Sequence, residues 1–151
     1  MGSSAESGLT LPSHAHVLAD TNVVLDLLIG REPFATAAKP LWDAHSAGRV
    51  EVYISASALT DIFYICRKQI GADRARVAVG ECLRRFVVLT VDRAVLEAAL
   101  QIVGPDFEDD VQVAIARASS LHAIVTRDVA GFTHESIPVL LPIDVVPRLM
   151  P

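Results

Sequence analysis

The sequence predicts an α/β protein built on a largely parallel sheet, and three observations carry that expectation. Short apolar or β-branched runs at 17–20, 50–55, 86–90 and 123–126 alternate with stretches of helical periodicity, which is the signature of βαβ units. Glycines at 30, 48, 71 and 104 fall where the helical patterns stop, as helix ends require. Finally, 151 residues that are 52% hydrophobic and 21% charged suit one domain with a sizeable core.

Taken in order, residues 1–15 are expected to form a disordered tail and 16–151 a single domain. The first strand, 17–20, ends at Asp20, and a helix over about 22–30 follows. Pro33 opens a second helix, in which Phe34, Ala37, Ala38, Leu41, Trp42 and Ala44 keep helical spacing. Residues 50–55 (VEVYIS) form a second strand. The helix after it, 56–69, carries Leu59, Ile62, Phe63, Cys66 and Ile70 on one face. Asp73 caps a helix to Arg85 with Val77, Cys82 and Leu83 inward, and 86–90 is a third strand. Asp92 caps a helix with Leu96, Ala99, Leu100 and Val103 inward. A helix over 106–120, a strand over 123–126, a short strand over 138–141 and a terminal turn or helix over 143–150 complete the chain.

Several classes of protein are disfavoured. The net charge of −5 provides no whole-molecule field for nucleic acid, although acids that hold cations would make that count misleading at a site. Cys66 and Cys82 form no metal-ligand pair and suit a reducing compartment. The histidines at 14, 16, 45, 122 and 134 show no zinc spacing. The N-terminal stretch lacks the basic start and apolar run of a signal peptide, and no run is long enough to span a membrane. A cytoplasmic protein is expected. No glycine-rich phosphate loop is present.

The chemistry-bearing residues are acids. Asp20 stands where a buried strand hands over to a helix, at the edge of an α/β sheet where ligands collect. Asp61 lies among Ala58, Ile62, Tyr64 and Ile65 at helical spacing, and a charge in such company calls for a compensating partner. Asp109 opens the helix before the fourth strand, with Asp106, Glu108 and Asp110 around it, and Asp128 follows that strand. Taken one at a time, helix capping explains Asp20 and Asp106, the helix dipole explains Glu108, Asp109 and Asp110, and Asp128 reads as a loop acid. Together, the four acids Asp20, Asp61, Asp109 and Asp128 fall on one edge of a parallel sheet. Clustered carboxylates repel one another unless cations neutralise them, and hard oxygen donors select Mg²⁺ or Mn²⁺.

The segments 17–25 (VLADTNVVL), 56–64 (ASALTDIFY), 106–114 (DFEDDVQVA) and 124–128 (IVTRD) resemble, in order, the motifs of PIN-domain nucleases, and the likeness extends over about 17–141. It implies a three-layer α/β/α sandwich, a divalent-metal site and cleavage of single-stranded or structured RNA. VapC-type members are toxins paired with a small antitoxin, and many are homodimers. Matched to this sequence, the four family acids fall on Asp20, Asp61, Asp109 and Asp128, with Asp20, Asp109 and Asp128 as metal ligands. Asn22 and Thr126 match supporting polar positions. The second acid is commonly Glu, so Asp61 is one methylene short. Asp110 competes with Asp109 for the third place; Asp109 is preferred because it shares a face with Gln112, Val113 and Ala116, leaving Asp110 to solvent.

Substrate capture needs positive charge, and Arg67, Lys68, Arg74 and Arg76, with Arg84, Arg85 and Arg127, are the candidates. They serve equally as solvated helix faces or antitoxin contacts. Other readings are weaker. A haloacid-dehalogenase-type phosphatase needs a second acid where Asn22 stands, and a receiver domain needs a late lysine, whereas the lysines are Lys39 and Lys68. The remaining alternatives are a non-catalytic PIN-like module that binds RNA or protein and a free-standing nuclease without an antitoxin.

Overall fold

The structure, a computed structural model, describes residues 8–132 and 136–151, so His134 and residues 1–7 of the expected tail lie outside the described residues. Among the described residues five strands, β1 (Ala15–Ala19), β2 (Val50–Ser55), β3 (Val87–Leu89), β4 (Ala123–Val125) and β5 (Val139–Leu140), make one sheet in the order β3–β2–β1–β4–β5. Every pairing is parallel, with Leu18 opposite Tyr53 on one side and Ile124 on the other. The chain therefore moves outward from β1 to β3 and then returns to the far side of β1 for β4. The strand order reverses between β1 and β4, and a crevice opens at the carboxyl ends of such a pair.

Helices α1 (Thr21–Ile29), α2 (Phe34–Ser46), α3 (Ala56–Ile70), α4 (Ala72–Arg85), α5 (Arg93–Ile102) and α6 (Phe107–Ala118) cover the sheet. Alternation along β1 divides them into two layers. Val17 and Ala19 point into a core built with Val23, Val24 and Leu25 of α1, Leu41 of α2, Ile62 and Cys66 of α3, and Ala75 and Cys82 of α4. Leu18, with Ile124 of β4, points the other way, toward Val95 and Ala99 of α5 and Val111, Ala114 and Ile115 of α6. The α/β/α sandwich expected from the sequence is thus the fold. No helix among the described residues is long and apolar enough to cross a membrane.

Four expectations need correcting. Gly71, not Asp73, is the N-cap of α4, and Asp73 lies inside its first turn. The packed chain begins before residue 16: Leu11 is 2% exposed, and its N–H and C=O bond to Arg148 O at 2.7 Å and Met150 N at 2.8 Å. In α4 the buried positions are the small residues Ala75, Ala78 and Cys82, while Val77 and Leu83 are exposed. Small side chains let α4 lie close against α3, so size, not apolarity, selected its inner face. In α5 Val95 and Ala99 are inward, leaving Leu96, Leu100 and Val103 exposed.

Candidate active site

Asp20 owes its place to the last rung of the sheet. Its N–H donates to Val125 O at 2.9 Å, after which the chain turns into α1 with Asp20 as its N-cap. Asp20 is 8% exposed, and its carboxylate is held by three donors. Oδ1 accepts from the Thr21 N–H at 2.8 Å and from Gln112 Nε2 at 2.7 Å, and Oδ2 accepts from the Thr126 hydroxyl at 2.9 Å. A carboxylate offers about four lone-pair directions; three are taken, and the remaining one belongs to Oδ2. Burial pushes the Asp20 pKa up, against the lowering effect of the Thr126, Thr21 and Gln112 hydrogen bonds.

Thr126 links the first acid to the last, because its Oγ1 also accepts the Asp128 N–H at 3.1 Å. Asp128 in turn accepts the Gly131 N–H at 3.1 Å. Glycine leaves room for that carboxylate: a Cβ at 131 would stand 2.6 Å from Asp128 Oδ2 and force the side chain to shift. Asp109 sits in the first turn of α6, where the Asp106 side chain caps its N–H at 3.2 Å.

Asp20, Asp61, Asp106, Glu108, Asp109 and Asp128 line one cavity of about 430 Å³ with Thr21, Asn22, Tyr64, Ile65 and Phe132. No described lysine, arginine or histidine lines it. The missing counter-charge shows in the acids. Burial first, then the charges of Asp106, Asp20, Glu108 and Asp128, push Asp109 up to about 7. Glu108 is raised by burial and then by the charge of Asp61 and the hydrogen bond it shares with Asp61, with Asp106 and Asp20 adding to it.

The four acids singled out from the sequence therefore come together, and Asn22 joins them. Asp61 does so for a different reason than expected. It is exposed, not enclosed by apolar neighbours; Ala58 and Ile62 face the core, while Asp61 lies on the stripe of α3 that borders the cavity. Asp106 and Glu108, which capping and the helix dipole explain from sequence, line the same cavity. The clustering of four acids within 106–110 was the available signal that more of them faced the site.

Asp110 does not face solvent. It is 7% exposed and accepts the Gly104 N–H at 3.0 Å, with no room for a Cβ at Gly104. Its task is to hold the α5–α6 turn outside the cavity. Arg127 is also committed elsewhere. Its Nε lies 2.7 Å from Asp26 Oδ2, off the line of its N–H, and Nη2 donates to Asp26 Oδ1 at 3.3 Å. Its guanidinium is also 3.9 Å from the centre of the Phe34 ring. Asp26, 1% exposed, receives Arg31 Nε at 2.8 Å as well. An Asp26→Ala variant would leave two partly buried guanidinium groups without their carboxylate, and is expected to cost about 3 kcal/mol, measurable by urea unfolding. Arg67, Lys68, Arg74 and Arg76 are exposed on α3 and α4.

Comparison with known proteins bears on this arrangement. The PIN domain family model matches residues 16–130. The chain belongs to the PIN domain family. No curated protein sequence matches it. Among solved structures, similar PIN-fold chains include FitAcB from Neisseria gonorrhoeae (TM-score 0.67, 21% identity, covering 85% of this chain and 99% of that one). A toxin–antitoxin complex from Klebsiella pneumoniae gives 0.63 and 24%, covering 83% and 97%. Mycobacterium tuberculosis VapC20, described as a sarcin–ricin loop cleaving toxin, gives 0.60 and 18%, covering 72% and 86%. At these identities the structural likeness shows a shared fold alone.

The donor set of this PIN domain suits a divalent cation. Its ligands are all oxygen, its charge is uncompensated, and Asp20 keeps one lone pair directed away from its three donors. Such sites take Mg²⁺ or Mn²⁺ in preference to softer metals. Among the described residues no three acidic, histidine or cysteine side chains stand close enough together to hold a metal ion as they are placed; the acids line an open cavity.

Proposed function

We propose that this PIN domain is a divalent-metal-dependent ribonuclease that hydrolyses RNA phosphodiester bonds, and that it is the toxin of a type II toxin–antitoxin pair acting in the cytoplasm. The observation that carries the proposal is the group of six carboxylates at the β1–β4 reversal, with no basic residue among the described residues that line their cavity. The toxin assignment draws on VapC20 and the Klebsiella complex, whose descriptions name a cleaving toxin and a toxin–antitoxin assembly. A small antitoxin is the partner this implies. A homodimer is favoured by the exposed Leu96, Leu100 and Val103, which are 40%, 63% and 82% exposed on and just beyond α5.

Asp20, Asp109 and Asp128 are the residues to hold Mg²⁺ or Mn²⁺. When bound, such an ion acidifies water and neutralises charge building on a phosphate. Thr126 and Gln112 fix the Asp20 carboxylate, so its free lone pair needs no reorganisation. Glu108 and Asp61 share a hydrogen bond at the cavity wall, and burial with the charge of Asp61 pushes the Glu108 carboxyl up. Arg67, Lys68, Arg74 and Arg76 supply positive charge for the RNA backbone.

The test is incubation of the purified protein with a mixed RNA pool. Cleavage with Mn²⁺ that stops on chelation is expected; an intact pool with Mn²⁺ would overturn the reading. Gly131→Ala, which pushes the Asp128 carboxylate from its seat, is expected to reduce the cleavage rate roughly 10- to 100-fold without unfolding the chain. Rate and circular dichroism measured on the same sample check both halves of that outcome.

A further inference from the structure

We infer that Tyr64 is a stacking platform for a nucleobase beside the scissile phosphate, so that the site selects unpaired RNA; this rests on the ribonuclease reading above. Tyr64 lies one turn beyond Asp61 on α3, and both line the acidic cavity. Tyr64 is 58% exposed. The core takes nothing from it, because α3 contributes Ala58, Ile62 and Cys66 to the buried layer. Phe132, the other aromatic of the cavity wall, is 8% exposed and has no open face to offer.

Tyr64 is also braced. Phe63 meets it at 80° with ring centroids 5.3 Å apart, and the Arg76 guanidinium lies 5.7 Å over the Phe63 ring from α4. An exposed ring held in place loses little freedom when a ligand stacks on it. The electrostatics point the same way. A cavity lined by acids repels the nucleotides flanking the one under attack, so their binding must come from uncharged contacts or from cations outside it. Tyr64 supplies the first, and Lys68, one turn further along the same stripe, supplies the second. Every base has a π-face, so the platform is tolerant of sequence. A base inside a duplex is already stacked and must first be extracted, whereas loops and single strands present free bases.

The test uses an oligoribonucleotide with a mapped cut site, Mn²⁺, and the full chain as wild type, Tyr64→Ala and Tyr64→Phe. Tyr64→Ala is expected to raise KM roughly 5- to 100-fold with kcat little changed, and Tyr64→Phe to stay near wild type. Replacing the flanking nucleotide by an abasic one should weaken wild type similarly and cost Tyr64→Ala nothing further. The same sequence in a duplex should resist cleavage. An unchanged KM in Tyr64→Ala, a penalty that persists on the abasic substrate, or equal cleavage of the duplex overturns the assignment. A shift of Tyr64→Ala to a smaller species on gel filtration would instead make Tyr64 a protein contact. Wild type that cuts no RNA overturns the ribonuclease reading and this one with it, whereas wild-type cleavage with indifferent Tyr64 variants overturns this one alone.

Discussion

Asn in place of Asp20 is expected to stop metal-dependent RNA cleavage, by ~100-fold or more, while the thermal midpoint holds or rises. The two halves of that result have separate causes. Asn keeps an oxygen for the Thr21 N–H and for Gln112 Nε2, and the Thr126 hydroxyl can turn to meet the amide group that replaces Oδ2. What it loses is the charge and the one lone pair the three donors leave free. The lost charge was unfavourable to the cation-free fold, since burial raises the Asp20 pKa, so removing it relieves the native state. A gel assay of RNA cleavage with Mn²⁺, paired with a thermal melt, reads both quantities. Undiminished cleavage would remove Asp20 from the site, and a lower midpoint would show that its charge supports the fold.

The fold and the acid cluster were legible because both are written in local patterns. Strand runs, glycine stops and capping aspartates act over a few residues, and Asp92 caps α5 as its position requires, accepting the Val95 N–H at 3.0 Å. Parallel topology then follows from alternation, and it brings Asp20, Asp61, Asp109 and Asp128 to one edge. What the sequence hid depends on partners far along the chain. Arg127 reads as a free cation beside Asp128 until Asp26, 101 residues earlier, takes it. Asp110 and Asp109 are neighbours in sequence but 100° apart on the helix, and only the Gly104 N–H six residues back shows which of them turns away from the cavity. Counting apolar residues does not find the inner faces of α4 and α5, because it does not weigh size. Ala75, Ala78 and Ala99 are buried where larger neighbours are left in solvent.

The second large effect is on stability, and its sign follows from Asp109. The folded state raises this carboxyl from an ordinary value of 3.8 to about 7. Between those values the folded chain therefore binds more protons than the unfolded one, and stability falls as pH rises through that window, levelling off above it. Glu108, also raised, adds to the same slope. A divalent cation reverses the preference, because it binds the ionised acids; below about pH 7 it must displace a proton, and its affinity drops as pH falls. At pH 8, an ion at a hundred times its Kd adds about 2.7 kcal/mol, which for a chain of this length raises the melting midpoint by about 5–10 °C. Melts in EDTA and in Mn²⁺ across pH 5 to 8 should therefore diverge, with the gap widest at pH 8 and closing toward pH 5. In EDTA, Asp109→Asn should lose much of the downward slope between pH 4 and 7, since the difference between its curve and that of wild type isolates this one carboxyl. Coincident EDTA and Mn²⁺ curves at pH 8 would show that the six acids hold no cation in the folded protein.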